Sequence, residues 1–523
     1  MTRKLQPHCA TSSACATSGA SRSPPGRACR FAARGVAGVL AALPIAGAIG
    51  DTQAPALTAP ARTLQLESCA VPGVERVRCA SYAVPENRER PSGRTLDLHV
   101  VVLDAEGPER ARDALFVLQG GPGQAASSLA EFYGTTFAGL RRTRDIVLVD
   151  QRGTGASHPL DCRLGGSKAD PGAYLGDILP VERVRACRAE LERDADLTQY
   201  TTPIAMADLD GVRAALGYEQ IDLYGTSYGT RAALVYARSH PERVRALVLK
   251  GVAPMSMVIP VPFAEDAQRA LDLLFEDCAA DRDCAKAYPA LRSEFAGVLG
   301  ALRKGPVQVA VEVRGADEPR SYPLEVGSFG AFVRTLLQST STSKDLPLII
   351  HDAAGGNWLP FTRRAVEMRE EASRGLQMGM FLSVACSEDA PLLGNATPAP
   401  DTYLGDYWIR SLAAACKEWP RGSVPADYRK APRLEAPALL VSGYLDSAAP
   451  PRWAEDAART LPNSRQIVVR YGSHSFSGLA GCVDQLMTEF IVRGSAKELD
   501  EACVSRVQRP PFTLPRDFTQ QQS

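Results

Sequence analysis

The sequence predicts an α/β protein, a mostly parallel sheet with helices on both faces and an inserted, mainly helical cap, and three observations predict it. Short apolar runs alternate with helix-like segments from about Thr95 onward, the rhythm of parallel strands joined by helical crossovers. That rhythm stops between Pro254 and about Pro432, where amphipathic stretches over 263–279 and 328–338 read as helices, and two strong strands return after Pro437. One strand, finally, runs through a Gly-x-Ser-x-Gly turn into an apolar helix.

Each expected strand has a local reason. The runs 96–103, 114–118, 145–149, 220–224, 245–249, 438–443 and 465–470 are short and apolar, several of them continuous β-branched runs of the kind buried on both faces. Two strands alone after Pro437 would make a poorly covered sheet, so they are read as the second half of one domain, with the middle inserted. The expected organisation is a leader over 1–50, a first half-domain over 51–254, the cap over 255–432 and a second half-domain over 433–523. No internal repeat is present.

The chain has 523 residues, enough for a sizeable core, and its Lys+Arg and Asp+Glu are equal at 59 each. Six of the cations (Arg3, Lys4, Arg22, Arg27, Arg30, Arg34) fall in the first fifty residues, which hold no acid, so the remainder is mildly acidic. A nucleic-acid partner, which requires a basic face, is not expected. The basic start leads into an apolar run over 35–50 that reads as a secretory signal. It is too short and too rich in Gly and Ala to be read as a membrane span, and no stable span is expected after signal removal.

Of thirteen cysteines, Cys9, Cys15 and Cys29 lie in the leader, and the other ten fall into close sequence pairs. These are Cys69 with Cys79, Cys162 with Cys187, Cys278 with Cys284, Cys386 with Cys416 and Cys482 with Cys503. Five local disulfides are expected, and with them an exported, periplasmic or secreted protein. There is no CxxC spacing, no Cys/His cluster, no HExxH, no complete GxGxxG after a strand and no P-loop, so neither metal nor cofactor is expected. The sequence carries no signal for an oligomeric state.

The run Tyr224-Gly225-Thr226-Ser227-Tyr228-Gly229-Thr230 sets Ser227 at the strand-to-helix turn, where glycines relieve crowding and the strain lifts a serine Oγ above the sheet edge. A serine there needs a base that cycles near neutral pH. Of six histidines, only His474 lies in a loop after the last strand, among Gly472, Ser473, Ser475 and Ser477. The orienting acid is expected after an earlier strand, and Asp446 follows the glycine turn that ends 438–443; Asp456 and Asp484 compete but fall in predicted helices. The order Ser227, Asp446, His474 is that of an α/β-hydrolase. Donors for an oxyanion are expected from the N–H of Tyr228 and from the loop Gln119-Gly120-Gly121-Pro122-Gly123-Gln124, with Gly121 as the second donor.

Together with Asp150-Gln151-Arg152-Gly153-Thr154-Gly155-Ala156-Ser157, Gly443-Tyr444-Leu445-Asp446, Ser473-His474-Ser475 and the paired cysteines, these motifs resemble the proline iminopeptidase and tripeptidyl aminopeptidase group of secreted bacterial serine α/β-hydrolases, including the TAP-like C-terminal region. The resemblance covers about Ser68 to Val504. It implies an exopeptidase that acts on peptides with a free N-terminus, and hence a carboxylate near the nucleophile for the α-ammonium. Glu388, with Asp389 beside it, is the candidate, since a Cys386–Cys416 bridge would pin that segment against the core. Two departures stand out: Gln119 replaces the histidine that opens HGGPG in iminopeptidases, and Lys250-Gly251-Val252 stands where relatives often show Asp-Gly-Val. A carboxylesterase using the same three residues, and a non-catalytic binding protein on a hydrolase scaffold, remain open at this point.

Overall fold

The structure is a computed structural model, and it describes residues 64–515 except 398, 478 and 480. The expected leader lies outside the described residues. Eleven strands are described: β1 (Glu67–Ser68), β2 (Val77–Pro85), β3 (Thr95–Leu103), β4 (Leu115–Leu118), β5 (Ile146–Val149), β6 (Ile221–Thr226), β7 (Val244–Lys250), β8 (Val307–Val311), β9 (Arg320–Leu324), β10 (Ala438–Gly443) and β11 (Ser464–Val469). Nine form one sheet in the order β1-β2-β3-β5-β4-β6-β7-β10-β11. From β5 to β11 every neighbour is parallel, and β1, β2 and β3 add an antiparallel edge.

All seven expected strands are in this sheet. Their apolar runs follow from the two cores they serve, because alternate residues of a strand point to opposite faces. On β3, Leu98, Val100 and Val102 enter one core while Val101 and Leu103 enter the other. On β10, Ala438 and Leu440 divide from Leu439 and Val441 in the same way. Helices α1 (Thr202–Ala215) and α2 (Tyr228–Ser239) cover the first face, and the helix Cys482–Arg493 covers the second.

Between β7 and β10, which pair with each other, the chain makes a long excursion. It includes α3 (Phe263–Ala280), α4 (Val326–Leu336), α5 (Leu359–Gly375), α6 (Met378–Glu388) and α7 (Tyr407–Glu418). A core of its own gathers Leu271, Phe275, Phe295, Phe329, Phe332 and Phe361. This stretch also holds a β-hairpin of β8 and β9, which the helical reading of the sequence did not include.

The five expected cysteine pairs are disulfides, with Cα–Cα separations from 5.1 Å at Cys386–Cys416 to 5.9 Å at Cys482–Cys503. Cys69–Cys79 ties β1 to β2, and Cys386–Cys416 ties α6 to α7. No helix among the described residues is long and apolar enough to cross a membrane.

Candidate active site

Steric crowding shapes the turn between β6 and α2. A Cβ on Gly225 would lie 2.5 Å from the Gly229 carbonyl oxygen, and one on Gly229 would lie 2.0 Å from the Leu118 carbonyl oxygen. Strand and helix can therefore back onto β4 only with glycine at both positions. Ser227 between them takes φ 55°, ψ −125°, a strained conformation for a residue with a side chain. Its N–H donates to the Lys250 carbonyl at 2.9 Å, and its carbonyl accepts from Thr230 N–H at 2.9 Å and Thr230 Oγ1 at 2.6 Å. The turn is held from both sides while Oγ takes no partner among the described residues.

Asp446 follows β10 and His474 follows β11, adjacent parallel strands whose ends bring the two loops together. The His474 Nδ1–H donates to Asp446 Oδ2 at 2.8 Å, and the N–H groups of Ala448 and Ala449 donate to Oδ1 at 2.7 and 2.9 Å. Burial works against the Asp446 charge, but the imidazole and the two amides outweigh it and hold its carboxyl below the ordinary carboxylate range. An ionised acceptor on Nδ1 fixes the tautomer and leaves Nε2 as the basic nitrogen. The imidazole packs on Gly251, where a Cβ would come within 3.1 Å of its Cε1. Its loop is tied to the end of α4 by Ser475 N–H to the Gln338 carbonyl at 2.7 Å and Ser473 Oγ to the Leu337 carbonyl at 2.6 Å.

The glycine loop after β4 closes the third side. A Cβ on Gly120 would sit 3.1 Å from Ser227 Cβ, so the peptide leading to Gly121 lies directly against the serine. Gly121 N–H donates to no acceptor among the described residues, and Tyr228 N–H belongs to the first turn of α2, whose amides have no acceptor within the helix. Gln119 is buried, borders the cavity beside Ser227, and its Nε2 donates to Tyr133 Oη at 2.5 Å, so at this departure from the iminopeptidase motif the side chain is tied to a tyrosine of the same lining. Ser227, Tyr228, His474, Gly120 and Gly121 border one cavity of about 670 Å³, largely apolar in its further lining.

Asp150 and Arg152 hold the fold around this site. Asp150 accepts from Ser127 N–H and Oγ at 2.8 and 2.7 Å and from Ala156 N–H at 3.1 Å. Arg152, fully buried, grips Asp208 at 2.6 and 3.0 Å and the Glu86 and Gln199 carbonyls at 2.7 and 3.0 Å.

Glu388 and Asp389, the residues expected to receive a substrate ammonium, lie in the interior with their carboxylates engaged by other residues. They are only 3% and 1% exposed, and neither is among the described lining of the cavity. Glu388 Oε1 accepts Thr202 N–H at 2.7 Å and so caps the start of α1 from a distance, while Oε2 accepts Thr202 Oγ1 at 3.0 Å and the Tyr428 hydroxyl. Asp389 takes Arg231 Nη1 on both oxygens at 3.2 and 3.0 Å, with Arg429 Nη2 at 2.6 Å and Ile259 N–H at 2.9 Å on Oδ1. Burial pushes the Glu388 carboxyl above its ordinary range, against the hydrogen bonds of Tyr428 and Thr202 and the charge of Arg231. Glu388 still touches the site indirectly, since Thr202 Oγ1 and the Tyr228 hydroxyl lie 2.6 Å apart.

The sequence reading missed the charges that do border the cavity: Lys250, Arg334 and Arg369, with no carboxylate among the described lining residues. Lys250 is half-buried, with Nζ 4.8 Å from the centre of the Phe476 ring, and desolvation pulls its pKa down against the charges of Asp484 and Asp446. A signal for Arg334 was present, because it is an isolated cation in the apolar helix run Phe329-Gly330-Ala331-Phe332-Val333-Arg334.

Residues 113–293 match the family model described as "alpha/beta hydrolase fold", and residues 400–503 match the model of "TAP-like protein". Tripeptidyl aminopeptidase of Streptomyces coelicolor is 24% identical over 482 residues, covering 84% of each chain. Serine protease Hip1 of Mycobacterium tuberculosis is 29% identical over 222 residues, 39% of this chain and 42% of that one. Proline iminopeptidase of Neisseria gonorrhoeae is 31% identical over 156 residues, 30% of this chain and 37% of that one.

Proposed function

Because the chain is a serine hydrolase of the α/β-hydrolase fold, related to serine aminopeptidases, we propose that it cleaves peptides from their N-termini through an acyl-enzyme on Ser227. One observation carries this reading: a serine at a strained elbow opens on the same cavity as an imidazole whose Nδ1 is tied to a buried carboxylate. In the proposed reaction Ser227 Oγ attacks the scissile carbonyl while His474 Nε2 takes its proton. The carbonyl oxygen becomes an oxyanion and accepts from Tyr228 and Gly121 N–H, donors worth about 3 kcal/mol each in the transition state. Collapse breaks the C–N bond, His474 passes its proton to the departing amine, and the acyl group stays on Ser227 as an ester. Water, deprotonated by His474, then hydrolyses that ester. Asp446 stays ionised throughout and stabilises the imidazolium.

The excursion between β7 and β10 is, in this reading, a cap over 255–432 that bounds the acyl-binding cavity and sets the length of peptide accepted. Five disulfides support a working place in an oxidising compartment, outside the cytosol. Release from the N-terminus rests on the relatives, and no ammonium receptor is assigned to Glu388 or Asp389. One observation favours a second reading, an esterase using the same residues: the described cavity lining holds no carboxylate for an ammonium.

Fluorogenic Pro-, Ala- and Ala-Ala-Pro amides compared with short p-nitrophenyl esters separate the two. Amide turnover that disappears in Ser227→Ala is the expected result. Ester turnover without amide turnover would leave only the esterase, and amide turnover that survives Ser227→Ala would remove the acyl-enzyme.

A further inference from the structure

How this fold treats a buried arginine kept for structure is visible behind Ser227. Arg231, fully buried on α2, gives Nη1 to both oxygens of Asp389 and Nη2 to the Met257 carbonyl. Arg334, 5% exposed on α4 and bordering the cavity, is treated differently. Both arginines leave a buried Nε without a partner, but where Arg231 spends both Nη groups, the Arg334 guanidinium makes no hydrogen bond and no ion pair among the described residues. One face of the group is stacked on Phe263, with the guanidinium carbon 3.7 Å from the ring centre, and the Trp408 ring lies at 5.6 Å. Trp408, which borders the same cavity, has its own Nε1 buried without a partner.

The carboxylates whose charges reach Arg334 are committed elsewhere. Asp446 holds His474, and Asp266 accepts from Arg452 Nε and Trp453 Nε1, both at 2.9 Å. Arg369, on α5, lies over the Phe332 ring at 5.1 Å, and with Lys250 it adds positive charge to the same lining. An arginine backed by an aromatic ring keeps its planar fork of donors at the free edge, the geometry that matches a carboxylate. A buried charge left unanswered is costly unless a ligand completes it.

We propose that Arg334, with Trp408 Nε1 beside it, receives a carboxylate of the substrate, so that the enzyme selects acidic peptides. The proposal rests on Ser227 being the nucleophile of this cavity. The carboxylate is either an Asp or Glu side chain near the scissile bond or the C-terminus of a short peptide, and the two sources are separable.

The test measures kcat/KM on matched pairs: peptides with Glu against Gln at each of the first few positions, the same peptides with a free against an amidated C-terminus, and p-nitrophenyl hydrogen glutarate against p-nitrophenyl butyrate. The carboxylate member of at least one pair should be preferred by about tenfold or more, and which pair responds identifies the source. The preference should fall toward one in Arg334→Met and be partly kept in Arg334→Lys. Because it is a ratio within one variant, a partly misfolded preparation does not distort it, and Trp408→Phe, which should weaken the same preference, replaces Arg334→Met if that variant does not fold. No preference in any wild-type pair, or one that survives Arg334→Met intact, overturns the proposal. A preference confined to the esters, with no peptide cleaved, keeps the carboxylate receptor and rejects the peptidase. Peptides cleaved without preference do the reverse.

Discussion

Behind Ser227, between α2 and α6, the buried charges are answered: Arg231 meets Asp389, Arg429 meets Asp389, and Glu388 meets Thr202 and Tyr428. In front of it, across the cavity, Arg334 is buried to nearly the same degree and meets only ring faces. The two regions have similar burial and similar residue types, so burial alone does not mark a site. What distinguishes them is whether the charge meets a counter-charge: Arg231 and Arg429 also leave Nε without a partner, but both pair with Asp389, and Arg334 pairs with no carboxylate among the described residues. A region whose charges close on one another is a brace, and a region that leaves donors open is where a ligand completes the structure. Asp446 sits between these cases, since its own bonds are satisfied but its partner His474 keeps Nε2 without a partner among the described residues.

The contrast can be broken by substitution. The largest effect on rate should come from Asp446→Asn, which keeps the side-chain volume but reverses the tautomer of His474, lowering kcat by roughly 10⁴-fold. Asp389→Ala should act the other way round. It strands Arg231 in the core, so urea unfolding should show a loss of about 3–5 kcal/mol, while the ratio of activities on free and blocked N-termini stays as in the wild type. A changed ratio would return this pair to the substrate site.

Glu388→Gln should cost about 1–3 kcal/mol, and its pH dependence carries the sharper information. The raised pKa of Glu388 means that its contribution to stability is complete below the ordinary glutamate range and declines as pH rises through the folded value. Asp446, with a lowered pKa, contributes above the ordinary range and loses that contribution as pH falls through its folded value. The stability gap between wild type and Glu388→Gln should therefore shrink with rising pH, and the gap for Asp446→Asn should shrink with falling pH, in unfolding curves taken between about pH 3 and 7. Slopes of the same sign would mean that the two carboxylates are not held in opposite ways. The smallest effect is expected for Arg334→Met. Replacing an unanswered buried cation with an apolar side chain should leave stability within about 1 kcal/mol or raise it. A loss comparable to Asp389→Ala would make Arg334 a brace after all.

Much of this was legible in the chain because the physics was local. The sheet strands from Thr95 onward declare themselves because alternate residues serve two apolar cores. Ser227, Asp446 and His474 declare themselves because each needs a turn at a strand end, and glycines mark those turns. The β8–β9 hairpin was not legible, as Val307–Val311 is half exposed and sits between helices whose pattern dominates. The contacts of Glu388 and Asp389 were not legible for a different reason. An acidic pair next to a cysteine looks the same in sequence whether it faces a ligand or Arg231, whose place in the apolar helix run Arg231-Ala232-Ala233-Leu234-Val235 is the only local hint that a buried partner is required. Long-range pairing, 158 residues apart for Arg231 and Asp389, leaves no trace in a short motif.

The most direct test of the central claim is to treat the protein with a biotinylated fluorophosphonate and locate the adduct by peptide mass spectrometry. The adduct should lie on the peptide containing Ser227, should be absent from Ser227→Ala, and should form far more slowly in His474→Ala. Labelling at another residue, or labelling of Ser227 at an unchanged rate without His474, would contradict the account.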